Sequence, residues 1–157
     1  MLLIIWHSRT GAGKSLAEAA ASGAGTGVRL LAAADATPDD LLAAQGYLFV
    51  CPENLAAMSG AMKEMFDRCY YPVLGRIAGR AYASMIAAGS DGQGAQAQLD
   101  RIATGWRLRR MADPLIVNLL AQTAEEILAP KIVPEAILLR ARELGEAMAI
   151  GLEQGIF

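Results

Sequence analysis

Between Ser8 and Ser15 the chain reads Ser-Arg-Thr-Gly-Ala-Gly-Lys-Ser. Three hydroxyl residues, two glycines and a lysine in eight positions are the ingredients of a phosphate cradle. Glycines let backbone N–H groups converge, hydroxyls add donors, and a helix starting there adds partial positive charge. Two phosphate patterns compete for these residues. The nucleoside triphosphate pattern Gly-x-x-x-x-Gly-Lys-[Ser/Thr] finds its second half in Gly13-Lys14-Ser15, but has Ser8 where its first glycine belongs. A Ser/Thr-x-Thr-Gly turn, which wraps one terminal phosphate of a mononucleotide, fits Ser8-Arg9-Thr10-Gly11 without change. A third reading is a purely structural helix start with a capping hydroxyl.

A cradle needs a strand before it and a helix after it, and both are legible. Leu2-Leu3-Ile4-Ile5-Trp6 is an apolar run that predicts a buried strand over residues 2–7, and a helix follows over 13–24. Val28-Arg29-Leu30-Leu31 reads as a short edge strand. Thr37-Pro38-Asp39-Asp40 is a helix start with a capping hydroxyl, a proline and an acid three residues on. A strand over 47–51 precedes a helix that places Met58, Met62, Met65, Phe66 and Cys69 on one face. A strand over 82–88 runs into the glycine-rich 89–94 and a helix to about Thr104, which Gly105 caps ahead of Trp106. Residues 106–130 are the least readable, with a strand at Leu115-Ile116-Val117 and a helical turn at 125–128. The last helix, 134–153, turns Ile137, Ala141, Leu144, Met148 and Leu152 inward.

Strands alternating with helices predict a parallel sheet covered on both faces. Five strands in one small domain suit the doubly wound order 2-1-3-4-5. The loops after strands 1, 3 and 4 then meet at the carboxyl end of the sheet. These are residues 8–15, Pro52-Glu53-Asn54 and 89–94, the three of least ordinary composition.

Of the 157 residues, 54% are apolar and 19% charged. That is one domain, residues 1–157, with a sizeable core. A formal charge of −2 and a pI near 5.4 give no basic field for nucleic acid, nor the strong acidity of a dedicated electron carrier. No apolar run is long enough to span a membrane, and no basic region precedes the first one, so a cytoplasmic protein is expected. Cys51 and Cys69 lack metal-binding spacing and read as buried free thiols; no metal site is expected. His7, the one histidine, reads as a satisfied residue at a strand end.

At its three loops the chain resembles the flavodoxin-like superfamily, a three-layer α/β sandwich. Within it the chain is most similar to the NAD(P)H-dependent FMN and quinone reductases, including the type first described as tryptophan-repressor-binding proteins. The carriers are Ser8-Arg9-Thr10-Gly11 with Lys14–Glu18, Pro52-Glu53-Asn54 with Met58–Arg68, and Ala88-Gly89-Ser90-Asp91-Gly92. The resemblance implies that Ser8, Thr10 and the amides of Gly11, Ala12, Gly13, Lys14 and Ser15 hold an FMN phosphate. It implies that Pro52, Glu53, Asn54 and Met58 border the flavin ring, with Asn54 bonding its polar edge. Gly89, Ser90, Asp91, Gly92 and Gly94 would border its other end. It further implies NAD(P)H as reductant, a quinone or other small electron acceptor, and a homodimer through the helix of residues 58–71. No catalytic side chain is required, because the chemistry belongs to the flavin.

The chain departs from the family in two places. Ala12 and Gly13 replace an Asn and a Thr common in flavodoxins, and no aromatic stands in 52–58 to stack on a ring. Other readings remain beside this one: a non-enzymatic electron carrier, a P-loop-type nucleotide-binding protein, or a scaffold without cofactor. Asp91 is equally a turn former. Tyr70-Tyr71-Pro72 lines an open flavin face or makes a surface turn, and Arg107, Arg109 and Arg110 read as a solvated basic face.

Overall fold

Leu2, Leu3, Ile4 and Ile5 are all buried, although successive side chains of a strand point to opposite faces. Such a strand must be covered on both sides, which calls for a parallel sheet between two helix layers. The structure, a computed structural model, describes residues 1–157 and has that architecture. The elements are β1 (Leu2–Trp6), α1 (Ala12–Ala24), β2 (Val28–Ala32), α2 (Pro38–Ala43), β3 (Gly46–Asn54), β4 (Ala57–Met58) and α3 (Gly60–Val73). They continue with β5 (Ala81–Ala88), α4 (Gln93–Gly105), β6 (Arg109–Arg110), β7 (Leu115–Asn118), α5 (Ala124–Leu128) and α6 (Glu135–Glu153).

The sheet runs β2-β1-β3-β5-β6, with β7 also on β5 and β4 antiparallel to the end of β3. The expected doubly wound order is kept, but there are seven strands rather than five. The fifth is split. Arg109 pairs opposite Ala81 at the start of β5, and Leu115 opposite Met85 farther along. Pro114 separates the pieces, having no N–H to give to a ladder. Arg109 and Arg110, expected on a solvated face, form the exposed edge strand β6.

Two cores flank the sheet. Beneath α2, α3 and α4 lies an aromatic one, where the Phe66 ring is 5.0 Å from Phe49 and 5.1 Å from Trp106. The Met62, Met65, Phe66 and Cys69 stripe is part of it. Val73, which extends the same face, is fully buried there, leaving Tyr70, Tyr71 and Leu74 outside. The second core, beneath α1 and α6, is aliphatic and alanine-rich. These two helices touch backbone to backbone. A Cβ on Gly23 would fall 2.0 Å from the Arg142 carbonyl oxygen, and one on Gly145 2.0 Å from that of Ala20.

Helix ends follow local chemistry. Thr37 and Asp40 form the expected capping box of α2. At the end of α4 the left-handed residue is Arg107, φ 58°, and not Gly105. Arg107 N–H donates to Thr104 and Leu108 N–H to Ala103, which closes the helix with the cap two residues later than expected. No helix is long and apolar enough to cross a membrane.

Candidate functional site

β1 ends at Trp6, one residue early, and His7 turns aside: its Nδ1 lies 2.8 Å from the Ser59 hydroxyl. Burial, and after it the charge of Arg9, holds His7 below its usual 6.5. The turn that follows is built by Ser8 and Gly11. The Ser8 hydroxyl accepts from the Gly11 N–H at 3.0 Å, and Gly11 takes φ 105°, a region open to glycine. Gly13 is required by space. A Cβ there would stand 2.4 Å from the His7 carbonyl oxygen, so threonine at this position would push the loop apart. α1 then begins with no side-chain cap and no acid in its first turn. The N–H groups of Ala12, Gly13 and Lys14 have no intrahelical acceptor, which leaves three donors and the positive end of the helix open at this point.

The second wall is not the loop expected at 52–54. Those residues are the end of β3, which folds back through Leu55 and Ala56 into β4. Both turn residues have positive φ, 51° and 60°. This is a tight hairpin turn without the usual Asn or Gly. Two contacts hold it. Gln98 Oε1 accepts the Met58 N–H at 2.8 Å, and α4 presses so close that a Cβ on Gly94 would lie 2.2 Å from the Ala56 carbonyl oxygen. Glu53 reaches across to α4, where its carboxylate accepts the N–H groups of Gly92 at 2.8 Å and Ala95 at 2.9 Å.

The third wall joins the 89–94 loop to the segment after β7. The Asn118 side chain donates to the Ser90 carbonyl and accepts the Leu120 N–H. Gly89 lets Ala121 approach; a Cβ would meet its carbonyl oxygen at 2.8 Å. The fourth wall is α5. Its start is a capping box of Thr123 and Glu126, and its end is closed by the Lys131 ammonium on the carbonyls of Glu126, Ile127 and Ala129. The Lys131 N–H donates to the Thr10 carbonyl at 2.7 Å, tying this segment to the loop that precedes α1.

Together these walls enclose an open cleft of about 750 Å³ at the carboxyl end of the sheet. Of the residues expected there, Ser8, Thr10, Ala12, Gly13, Pro52, Glu53, Asn54, Gly89 and Ser90 line it. Gly11, Gly92 and Gly94 shape the backbone behind it. Met58 is buried in the aromatic core, because β4 turns it inward. Lys14 projects outward toward Glu18, at 3.8 Å, and Ser15 follows it along α1 away from the mouth. Asp91 is exposed beside the cleft but not in its wall. Tyr70 and Tyr71 lie at the other end of the sheet. α3 runs back from the hairpin toward Ala81, which pairs with Gly46 at the start of β3.

Residues missed by sequence reasoning are Arg9, Leu55, Ala56, Ala87, Ala88, Leu119, Ala121, Ile127, Leu128 and Lys131. The capping-box spacing Thr123-x-x-Glu126 was the signal available for α5. The cleft holds no aromatic side chain and no nucleophile paired with a base, and its one carboxylate, Glu53, is committed to α4.

The profile of the family described as NADPH-dependent FMN reductase matches residues 26–122. A flavodoxin of Aquifex aeolicus is 36% identical over 97 residues, covering 59% of this chain and 52% of that protein. The chain thus spans about half the length of that relative. An archaeal flavodoxin superposes with a TM-score of 0.77 over 97% of this chain and 98% of its own, at 16% identity. A WrbA-like flavodoxin from Agrobacterium tumefaciens gives 0.72 over 98% and 97%, at 22% identity. The likeness to the two solved structures establishes a flavodoxin-like fold, and the profile, which takes in most of the sheet and two cleft walls, places this chain in the NADPH-dependent FMN reductase family.

Proposed function

We propose that this protein binds FMN in the cleft and passes electrons from NAD(P)H through it to a quinone or another small acceptor. The observation that carries the reading is the uncapped N-terminus of α1, with Arg9 beside it, opening into a cleft that has aliphatic walls and whose one carboxylate, Glu53, is bound to α4. An anionic tail on an apolar ring system is the ligand shape such a site suits. Ser8, Thr10 and the amides of Ala12, Gly13 and Lys14 hold the phosphate, with Arg9 adding charge. Pro52, Leu55 and Ala56 offer apolar surface to the ring, and Asn54 offers an amide able to donate and accept at its polar edge. Membership in the family supports the same ligand. When bound, the flavin supplies the hydride and electron transfer. The chain's share is to place the ring, exclude water and leave room for reductant and acceptor.

The triphosphate reading is weakened by Lys14, which points away from the loop, and by Glu53, the one carboxylate of the cleft, both of whose oxygens are turned to N–H groups of α4. A cytoplasmic location is supported by the free buried thiols Cys51 and Cys69.

Calorimetric titration with FMN and riboflavin tests the site; equal affinities would remove the phosphate loop from the reading. Anaerobic mixing with NADH and NADPH then tests the reaction. Bleaching of the flavin band by either supports the reductase. Reduction by dithionite alone assigns the protein to the non-enzymatic carriers.

A further inference from the structure

Two apolar elements face the cleft from opposite sides, and each leaves large aliphatic side chains outside the core. The hairpin stands on the side of α2, α3 and α4, where Met58 anchors it, and leaves Leu55 fully exposed. α5 stands on the side of α1 and α6, where Leu119 and Val133 anchor its flanks. None of its five residues is buried; Ile127 is 53% and Leu128 78% exposed. Both elements are nevertheless held firmly. Leu55 is kept in a left-handed conformation that disfavours leucine, by Gln98 and by the close approach of Gly94. α5, too short to persist alone, is closed at each end by its own polar residues. Lys131 couples it to the phosphate loop through Thr10, so whatever orders that loop also places Ile127 and Leu128.

We infer that Leu55 on one side and Ile127 with Leu128 on the other form an aliphatic clamp on the flavin ring, in place of aromatic stacking. The clamp rests on the flavin reading above and adds residues and a physical property to it. An excited flavin loses its fluorescence when a stacked indole or phenol donates an electron to it. Leucine and isoleucine cannot donate, and the cleft wall has no aromatic residue. FMN held here keeps its emission.

The experiment measures FMN and riboflavin binding by calorimetry and emission at saturation. It compares wild type, Leu55→Ala, Ile127→Ala with Leu128→Ala, and Leu55→Trp, with circular dichroism as the check on folding. The expected result is wild-type emission within about twofold of free FMN. The alanine variants should lose affinity for FMN and riboflavin by the same factor, roughly tenfold, since they touch the ring and not the phosphate. Leu55→Trp should bind FMN and darken it several-fold. Strong quenching in wild type, or alanine variants with unchanged riboflavin affinity, overturns the clamp while leaving FMN binding in place. No FMN binding by wild type overturns the clamp and the flavin reading together.

Discussion

At the scale of single residues, the lysine in the phosphate loop and the arginine beside it exchange their expected importance. Lys14 fits the motif but projects toward Glu18 on the outside of α1, whereas Arg9 lines the cleft and takes part in none of the five ion pairs. Arg9→Ala should weaken FMN by roughly 5- to 10-fold, the loss of about 1 kcal/mol of charge-assisted contact, and leave riboflavin unchanged. Lys14→Ala should change FMN by less than about twofold. Parallel titrations of the two variants decide between them. Spacing shows which residue types are present; it does not show on which side of a helix a flexible side chain leaves. His7 makes a second test. Burial keeps it neutral in the folded state at a pH where the unfolded chain binds a proton. Its contribution to stability is therefore present above about 6.5 and lost as pH falls from there through its lower folded value. The melting temperature should drop more between about pH 7.5 and 5.5 in wild type than in His7→Gln, which has nothing to titrate there. Cys51, pushed up to about 12 by burial, has no part in this range.

At the scale of elements, the hairpin between β3 and β4 shows what sequence patterns convey and what they omit. The apolar run of β3 and the capping box of α2 were legible, because periodicity and capping are local. The hairpin was not, because Leu55-Ala56 carries none of the residues that normally announce such a turn. It is imposed by α4, through Gln98 and Gly94, from forty residues away. α5 was legible as a helical turn at 125–128, and the structure has it at Ala124–Leu128; what closes it was not legible. Its start has a sequence signal, but its end is closed by Lys131, beyond Pro130. The strain is measurable. Ala56→Gly should stabilise the protein by about 1 kcal/mol, since glycine relieves a left-handed conformation worth about 1–2 kcal/mol and gives back part in chain entropy. Gly94→Ala should destabilise it by about 2 kcal/mol or more, because its Cβ meets backbone and not a yielding side chain. Urea titration of both variants checks the opposite signs.

At the scale of the molecule, alternation of strands and helices sufficed to predict the sheet order; besides the hairpin strand β4, the split of the fifth strand escaped it. That split depends on Pro114 and on pairing with the two ends of one long neighbour, β5, which no local window contains. Assembly also belongs to this scale. Tyr70, Tyr71 and Leu74 make an apolar patch, the two rings 5.0 Å apart, at the end of the sheet away from the cleft. We expect a C₂ dimer through it, with twice the 16.5 kDa mass of the chain in sedimentation. Tyr71→Arg should yield monomer with FMN affinity unchanged, since α3 sets the patch ~20 Å from the cleft. A monomer in wild type at every concentration, or an FMN site lost with the dimer, would contradict this arrangement.

Glu53 has one more effect, on the direction in which a ligand enters. Two helices of similar length, α1 and α4, begin at the cleft, and each would attract an anion if left open. By occupying the head of α4 with a carboxylate of the chain itself, Glu53 removes one of the two poles and sets a negative charge in its place. The cleft is then polar in the sense that a magnet is polar: a molecule with one anionic end docks head first toward α1, and the reversed pose is repelled. A single internal side chain thus decides which way round the ligand lies.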